Sequence, residues 1–389
     1  AVGVGLPEGS VAGEGRARLR VELGEGAPAF SLRSDLRGLG LALPAAGWSK
    51  AARAEGQLVV EGRLGAPVRV DRLALTAPGL SAEGSASVTA AGGLDRLTLD
   101  RLRVGDWLDV GGAVVGRGSR PVALEVAGGT LDLSRADFGT GGRGAGGGGP
   151  ISASLDRVQV TEGIALTGFH GEFTTEFGLE GTFRARVNGV APVWGRVAPQ
   201  GGRVGARVQG DDAGAVLAAA GLFARAVGGS LDMLLLPVGE AGYEGELSVA
   251  GLTVRDAPVL ASLLNAVSVV GLLQQLGEGG IVFDDVAARF RLDPGGITLT
   301  QGSAVGAGLG LSLDGTYAFA AGRMDFQGVL SPLYLVNGLG SVLTRPGEGL
   351  IGFSFTLRGD PADPAVAVNP LSVLTPGMFR DIFRRPPPT

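Results

Sequence analysis

Apolar and polar residues alternate with a period of two through most of this chain. Ala17-Arg18-Leu19-Arg20-Val21-Glu22-Leu23 sets Leu19, Val21 and Leu23 on one face of an extended strand and Arg18, Arg20 and Glu22 on the other. Leu97-Thr98-Leu99-Asp100-Arg101-Leu102-Arg103-Val104 begins the same way, as does Val122-Ala123-Leu124-Glu125-Val126. The pattern is densest near the C-terminus. There Phe290 and Leu292 alternate with Arg289 and Arg291, and Ile297 and Leu299 with Thr298 and Thr300. Leu309, Leu311 and Leu313 alternate with Gly310, Ser312 and Asp314, and Met324 and Phe326 with Arg323, Asp325 and Gln327. Phe353, Phe355 and Leu357 alternate with Ser354, Thr356 and Arg358. Each run predicts a half-buried strand with one apolar and one wet face. Alternation alone suits a curved sheet, a sandwich or a solenoid equally well.

Two runs break the period and predict helices. The first spans 213–227, with Asp212 as N-cap and Gly228-Gly229 as the stop. The second spans 257–276, with Asp256 as N-cap and Pro258 in the first turn. It carries no charge and is long enough to cross a bilayer. Ser262, Asn265, Ser268, Gln274 and Gln275 fall mostly to one side, opposite Leu260, Leu263, Leu264, Val267 and Val270. That distribution predicts a helix packed on the sheet instead. A short third helix is expected over 376–385, before Pro386-Pro387-Pro388. The organisation expected is a β segment over 1–138, a Gly-rich linker or loop over 139–150, a middle β region over 151–254 and a C-terminal region over 255–385.

Composition narrows the class. The 389 residues include 71 glycines and 21 prolines, yet 45% are hydrophobic, which argues against disorder and for many short strands joined by turns. The net charge is −5 and the basic residues are scattered, so no nucleic-acid partner is expected. Lys50 is the one lysine among 33 basic residues. No cysteine is present, which excludes disulfides and cysteine-metal sites. The chain starts at Ala1 without a signal-like run, so an N-terminal membrane anchor is expected to lie outside this sequence.

Candidate chemistry is sparse. His170, the one histidine, lies in an alternating run and reads as a solvent-facing strand residue. Asp211-Asp212 reads as a helix cap, and neither it nor Asp284-Asp285 has the carboxylate spacing of a calcium loop. The glycines of 139–150 are not followed by the Gly-Lys-Ser/Thr of a phosphate cradle. In Gly128-Gly129-Thr130-Leu131-Asp132, Leu131 stands where a calcium-binding nonapeptide needs glycine. Trp48, Trp107 and Trp194 are dispersed and read as packing aromatics. No catalytic residues, metal or cofactor are expected.

The last third carries a resemblance. Leu252-Thr253-Val254-Arg255-Asp256-Ala257-Pro258, the run from Leu309 to Tyr317, Gly322-Arg323-Met324-Asp325-Phe326-Gln327, and the stretch from Leu357 to Ser372 resemble the C-terminal region of AsmA-like proteins, the superfamily of TamB-like and YhdP-like proteins. Ser34-Asp35-Leu36-Arg37-Gly38-Leu39, followed by Leu43-Pro44 and Lys50, is similar to a YhdP-like strand pattern. The resemblance implies a mainly β fold, a long curved antiparallel sheet forming an open apolar trough with two or three capping helices. It implies an envelope protein that binds or conducts phospholipid between inner and outer membranes. On that reading Phe290, Leu292, Leu299, Leu309, Leu311, Leu313, Phe326, Phe353, Phe355 and Leu357 line a lipid groove. The implied partners are acyl chains, the inner membrane through the anchor, and outer-membrane or periplasmic proteins; the implied location is the periplasm. The alternative is a secreted or surface β-rich structural protein or adhesin. An outer-membrane barrel fits worst, because three tyrosines and three tryptophans cannot form aromatic girdles.

Overall fold

The structure is a computed structural model and describes residues 10–43, 46–136, 148–267, 270–332, 346–349, 351–361 and 363–374. The fold is mainly β and mostly antiparallel. It divides into two compact units. The first is Ala1–Gly189 with Arg196–Gly202, and the second is Val190–Gly195 with Arg203–Thr389.

In the first unit the strands are β1 (Val11–Gly13), β2 (Ala17–Glu22), β3 (Ala29–Ser34), β4 (Leu39–Leu43), β5 (Trp48–Lys50), β6 (Gln57–Arg63) and β7 (Arg69–Ala77). They continue as β8 (Leu80–Val88), β9 (Leu94–Val104), β10 (Leu108–Arg117), β11 (Arg120–Asp132), β12 (Pro150–Gln159), β13 (Ala165–Thr174) and β14 (Glu180–Val187). β2, β3 and then β6 to β11 pair antiparallel in succession. The small sheet β1–β4–β5 stands apart. β12, β13 and β14 continue the large sheet antiparallel, but β11 and β12 pair in parallel. A parallel pair cannot be joined by a tight turn. The Gly-rich stretch therefore connects two neighbouring strands of one sheet and does not separate domains; its residues 139–147 lie outside the described ones. The division of the chain falls near 189–203 instead.

β15 (Ala191–Gln200) is divided between the units. The second unit holds β16 (Arg203–Gly210), α1 (Ala213–Ala219), β17 (Ala226–Val227), β18 (Ser230–Val238), β19 (Gly242–Val254), α2 (Pro258–Ala266) and α3 (Val270–Glu278). β20 (Ile281–Asp293), β21 (Gly296–Val305), β22 (Leu309–Ala318), β23 (Arg323–Pro332), β24 (Phe353–Asp360) and β25 (Asp363–Asn369) follow. β16 pairs with β18, and β18 to β25 pair in sequence, all antiparallel.

The helices differ from their expected bounds. α1 has the expected cap, with Asp212 Oδ1 accepting from the Ala215 amide at 2.9 Å. It stops at Ala219 rather than 227, because Gly221 takes φ 70° and residues 226–227 pair with β19 as β17. The expected helix over 257–276 is two helices, α2 and α3, with residues 268–269 outside the description. Its N-cap is Ala257 and not Asp256, which sits at φ 46°; Pro258 opens the helix as expected. The segment over 376–385 lies outside the described residues. No helix among those described is long and apolar enough to cross a membrane. Asp212→Ala removes a cap from a helix of only 7 residues. It is expected to lower the stability of the second unit by about 1 kcal/mol, read by urea denaturation.

Glycine has a specific task in these sheets. Gly245 lies opposite Phe290, Gly315 opposite Phe326 and Gly328 opposite Phe355. A Cβ at Gly245 would fall 2.2 Å from the Phe290 ring, and one at Gly328 2.5 Å from the Phe355 ring. The rings lie flat over the cross-strand glycines, and the pairing keeps otherwise weak positions packed. Gly181 stands in the same relation to Phe173 in the first unit.

Candidate functional site: an apolar sheet face

Opposite residues in a ladder share a face, so the register assigns every strand residue to one side. In the second unit, Tyr243 faces Leu292, which faces Ile297, which faces Tyr317. Phe290 faces Leu299, and Leu299 faces Gly315. Register shifts at Arg289/Phe290 and Leu299/Gly302 absorb one residue and restore the phase, so Leu313 and Leu311 follow on the same side. Leu309, Leu311 and Leu313 face Pro332, Leu330 and Gly328, and these continue into Phe353 and Phe355. Phe326 faces Leu357, which faces Val366. All ten sequence-predicted groove residues thus lie on one face.

That face is not uniformly open. At one end α2 and α3 lie on it. Leu263, Leu264, Leu272 and Leu276 form one buried cluster with Val249, Leu309, Leu330 and Phe355, and Leu311, Leu313 and Leu357 pack against it. Leu309 is 0% and Phe355 3% exposed, so these two are sealed core residues rather than groove lining. Their strand signal is the same as that of an open position, and only the helices above them decide the difference. Phe290, Leu292, Leu299, Phe326 and Phe353 are half-buried and outside that cluster.

The first unit carries a larger apolar face that the reading of site residues did not single out. Leu32 faces Val60, which faces Leu73; Leu58 faces Leu75, which faces Ala82 and then Leu102. Leu97 faces Val114, which faces Leu124, and Leu155 faces Phe169. Phe169 stacks on Phe183 at 5.5 Å and on Phe173 at 6.3 Å between centroids. On β2, β3 and β6 to β14 the ladder register gathers apolar residues mainly on this side, with Val110, Leu155 and Val158 buried in it. Most of these side chains are half-buried, and among the described residues no helix lies on them. Trp48, Trp107, Leu80 and Val104 close one end of this face as a small core. The signal for it was present in the alternating runs over 17–23, 97–104 and 122–126.

The opposite faces differ between the units. In the first, Arg101 donates to Asp109 from Nε at 2.8 Å and from Nη2 at 2.6 Å, beside Arg103. The Arg101 hydrogen bond and then its charge hold the Asp109 carboxyl below its usual range, against the partial burial that raises it. A depressed folded value stabilises above the ordinary carboxylate range, and that contribution fades as pH falls through the folded value. Arg101→Gln is therefore expected to raise the Asp109 titration midpoint toward the ordinary value, followed by NMR. The pair is solvent-exposed and its effect on stability is small.

In the second unit the expected wet face of β22 and β23 is buried over Ser312, Asp314, Gln327 and Ser331, while Thr316 and Arg323 stay exposed. Ser312 is 4% and Asp314 2% exposed. Residues 346–349 cross this side: Ser312 donates to Glu348 Oε1 at 2.6 Å, and the Gly349 amide donates to Ser331 Oγ at 2.9 Å. Gln327 Nε2 donates to Asp314 Oδ2 at 2.8 Å. The polar side chains of this face satisfy a covering segment, not water. Substitution of Ser312 by a charged residue is thus not the harmless change that alternation suggests.

Among the described residues no group of three His, Asp or Glu could hold a metal. His170 is exposed on β13, with Nδ1 at 2.9 Å from the Gly168 carbonyl oxygen. Comparison with protein-family models, with curated proteins and with solved structures finds no match.

Proposed function

We propose that the protein holds phospholipid acyl chains along its apolar sheet face, as a periplasmic envelope protein working between inner and outer membranes. The supporting observation is one face of the large sheet in the first unit, β2, β3 and β6 to β14: mainly apolar, half-buried outside the clusters around Trp48 and around Leu155, and without a covering helix among the described residues. Soluble monomers rarely leave so extended an apolar surface unsealed. An acyl chain is itself apolar, flexible and linear, and contributes by burial of its methylenes without any hydrogen bond from the protein. On the same reading the trough is open, the inner membrane is reached through an anchor outside this sequence, and envelope proteins are the further partners. The resemblance to AsmA-like proteins adds the direction of the argument: passage along the face, not tight capture.

Two neighbouring residues test it. Phe183 lies on the apolar face, and Thr182 lies on the other, opposite Glu172. Phe183→Arg is expected to reduce phospholipid recovered with the purified protein by about tenfold, equivalent to about 1.4 kcal/mol. Thr182→Arg gains an acidic neighbour and is expected to retain the parent level. Recovery is measured by mass spectrometry of extracted lipid. Equal retention by both variants, or no lipid on the parent protein, overturns the reading and leaves a structural β protein.

A further inference from the structure

The arginines of β6 to β11 fall into two groups. Arg72, Arg96, Arg101 and Arg103 each form an ion pair, with Glu61, with Glu125 and, for the last two, with Asp109. Arg63, Arg69, Arg117 and Arg120 form none among the described residues. These last are not scattered. Arg63 lies directly opposite Arg69 across β6 and β7, and Arg117 directly opposite Arg120 across β10 and β11. Strands that pair antiparallel in succession return to the same end at every second turn, so both pairs stand at one end of the sheet. Like charges directly opposite in a ladder are destabilising. The neighbouring carboxylates leave that repulsion in place. Glu61 is taken by Arg33 and Arg72, Asp95 accepts from Ser87 Oγ at 2.7 Å, and Asp71, on the same strand as Arg69, forms no ion pair among the described residues. The Gly-rich stretch 139–150, which rejoins the sheet where Ile151 pairs with Leu124, carries no acid.

The same end is where the first unit's apolar face is left open among the described residues. Trp48, Trp107, Leu80 and Val104 close the other end, at the turns after β7 and β9. Beside the arginine pairs, Leu64 is 42%, Val122 41% and Leu124 37% exposed. The geometry points to two phosphate sites, one at each arginine pair, which hold the headgroups of phospholipids whose acyl chains lie on the adjoining face. This assignment rests on the acyl-chain reading of that face. A phosphate set between two guanidiniums accepts charge-assisted hydrogen bonds from both and turns their repulsion into attraction. An amphiphile lying on the face must keep its charged end in water, and the cationic end is the one that the tryptophan core leaves free. The pairs are separated by four strand spacings, about 19 Å, so each takes its own phosphate.

The full chain is incubated with neutral detergent micelles carrying equal amounts of phosphatidylglycerol and diacylglycerol with the same acyl chains. It is then reisolated, and its lipid is extracted and measured by mass spectrometry. The parent is expected to retain phosphatidylglycerol about tenfold over diacylglycerol. Arg63→Gln with Arg69→Gln, or Arg117→Gln with Arg120→Gln, is expected to lower retained phosphatidylglycerol by about half, and both pairs together to bring it down to the diacylglycerol level. Retained diacylglycerol is expected to stay unchanged throughout. Arg53→Gln, at an exposed arginine in the turn before β6, is expected to keep the parent's preference. Because opposed like charges are removed, the paired variants are expected to be at least as stable to urea as the parent. A parent that retains both lipids without preference overturns this inference alone. A parent that retains neither overturns the acyl-chain reading and this inference with it. Loss of stability in step with loss of lipid makes the pairs structural and overturns the inference as well. So do arginine side-chain NMR signals that move with inorganic phosphate and not with phosphatidylglycerol, which assign the pairs to free anions.

Discussion

Leu264→Asp is expected to unfold the second unit, whereas Leu99→Asp is expected to leave the first unit folded. Leu264 is 0% exposed, enclosed by α2 and the sheet beneath it. A carboxylate there loses its hydration with no partner, and the leucine's packing is lost as well. The combined penalty is about 5 kcal/mol, comparable to the whole stability of many domains. Leu99 sits on the apolar face of β9, half-buried and opposite Gly84 and Gly112. A carboxylate there reaches water past its neighbours, and the expected loss is about 1–2 kcal/mol of apolar burial. Tryptophan fluorescence separates the two outcomes. Trp48 and Trp107 belong to the first unit and Trp194 to the second. Urea unfolding of variants that keep one or the other set should show the Leu264 change in the Trp194 signal. Equal destabilisation by the two substitutions would mean that the first unit's face is as sealed as the second's.

Lys50→Met is expected to destabilise the first unit by about 3 kcal/mol. Lys50 is 3% exposed, and its ammonium donates to the carbonyls of Leu36 and Leu39, each at 2.8 Å, and of Ala51 at 3.3 Å. Leu36 holds φ 55°, a strained value for a branched side chain, in the turn before β4. The ammonium therefore gathers three carbonyls of the turns around β4 and β5 and holds one strained residue among them. Methionine matches the length but leaves those acceptors dry. Lys50→Arg is expected to fail nearly as badly, because a planar guanidinium cannot aim its donors at three carbonyls converging on one point. The readouts are the urea midpoint from Trp48 and Trp107 fluorescence and amide exchange in β4. A Lys50→Arg variant as stable as the parent would show that charge alone suffices there.

Much of this fold was legible because a strand's two faces are written in successive residues. Leu19, Val21 and Leu23, or Phe353, Phe355 and Leu357, announce a strand and its oily side without reference to any neighbour. The cap at Asp212 was legible for the same reason, being a contact over three residues. Helix ends were less so. Leu222 and Phe223 fit an amphipathic helix, yet the chain leaves α1 at Gly221 because residues 226–227 find a partner in β19. What the sequence does not show is the cross-strand task of Gly245, Gly315 and Gly328, strand positions roofed by a phenylalanine on the next strand.

The sequence by itself determined that the chain is mainly β and where along it the strands present alternating apolar and polar sides. These follow from period and composition, which are local quantities. Tertiary structure decided which apolar side is covered. The same alternation places Leu309 under a helix and Leu99 under none among the described residues, and it places Ser312 beneath residues 346–349 although a serine in that phase reads as wet. Register shifts at Phe290 and Leu299 had to be absorbed before ten dispersed residues could share a face. Burial is a property of what lies above a side chain, and that neighbour comes from tens of residues away in the sequence.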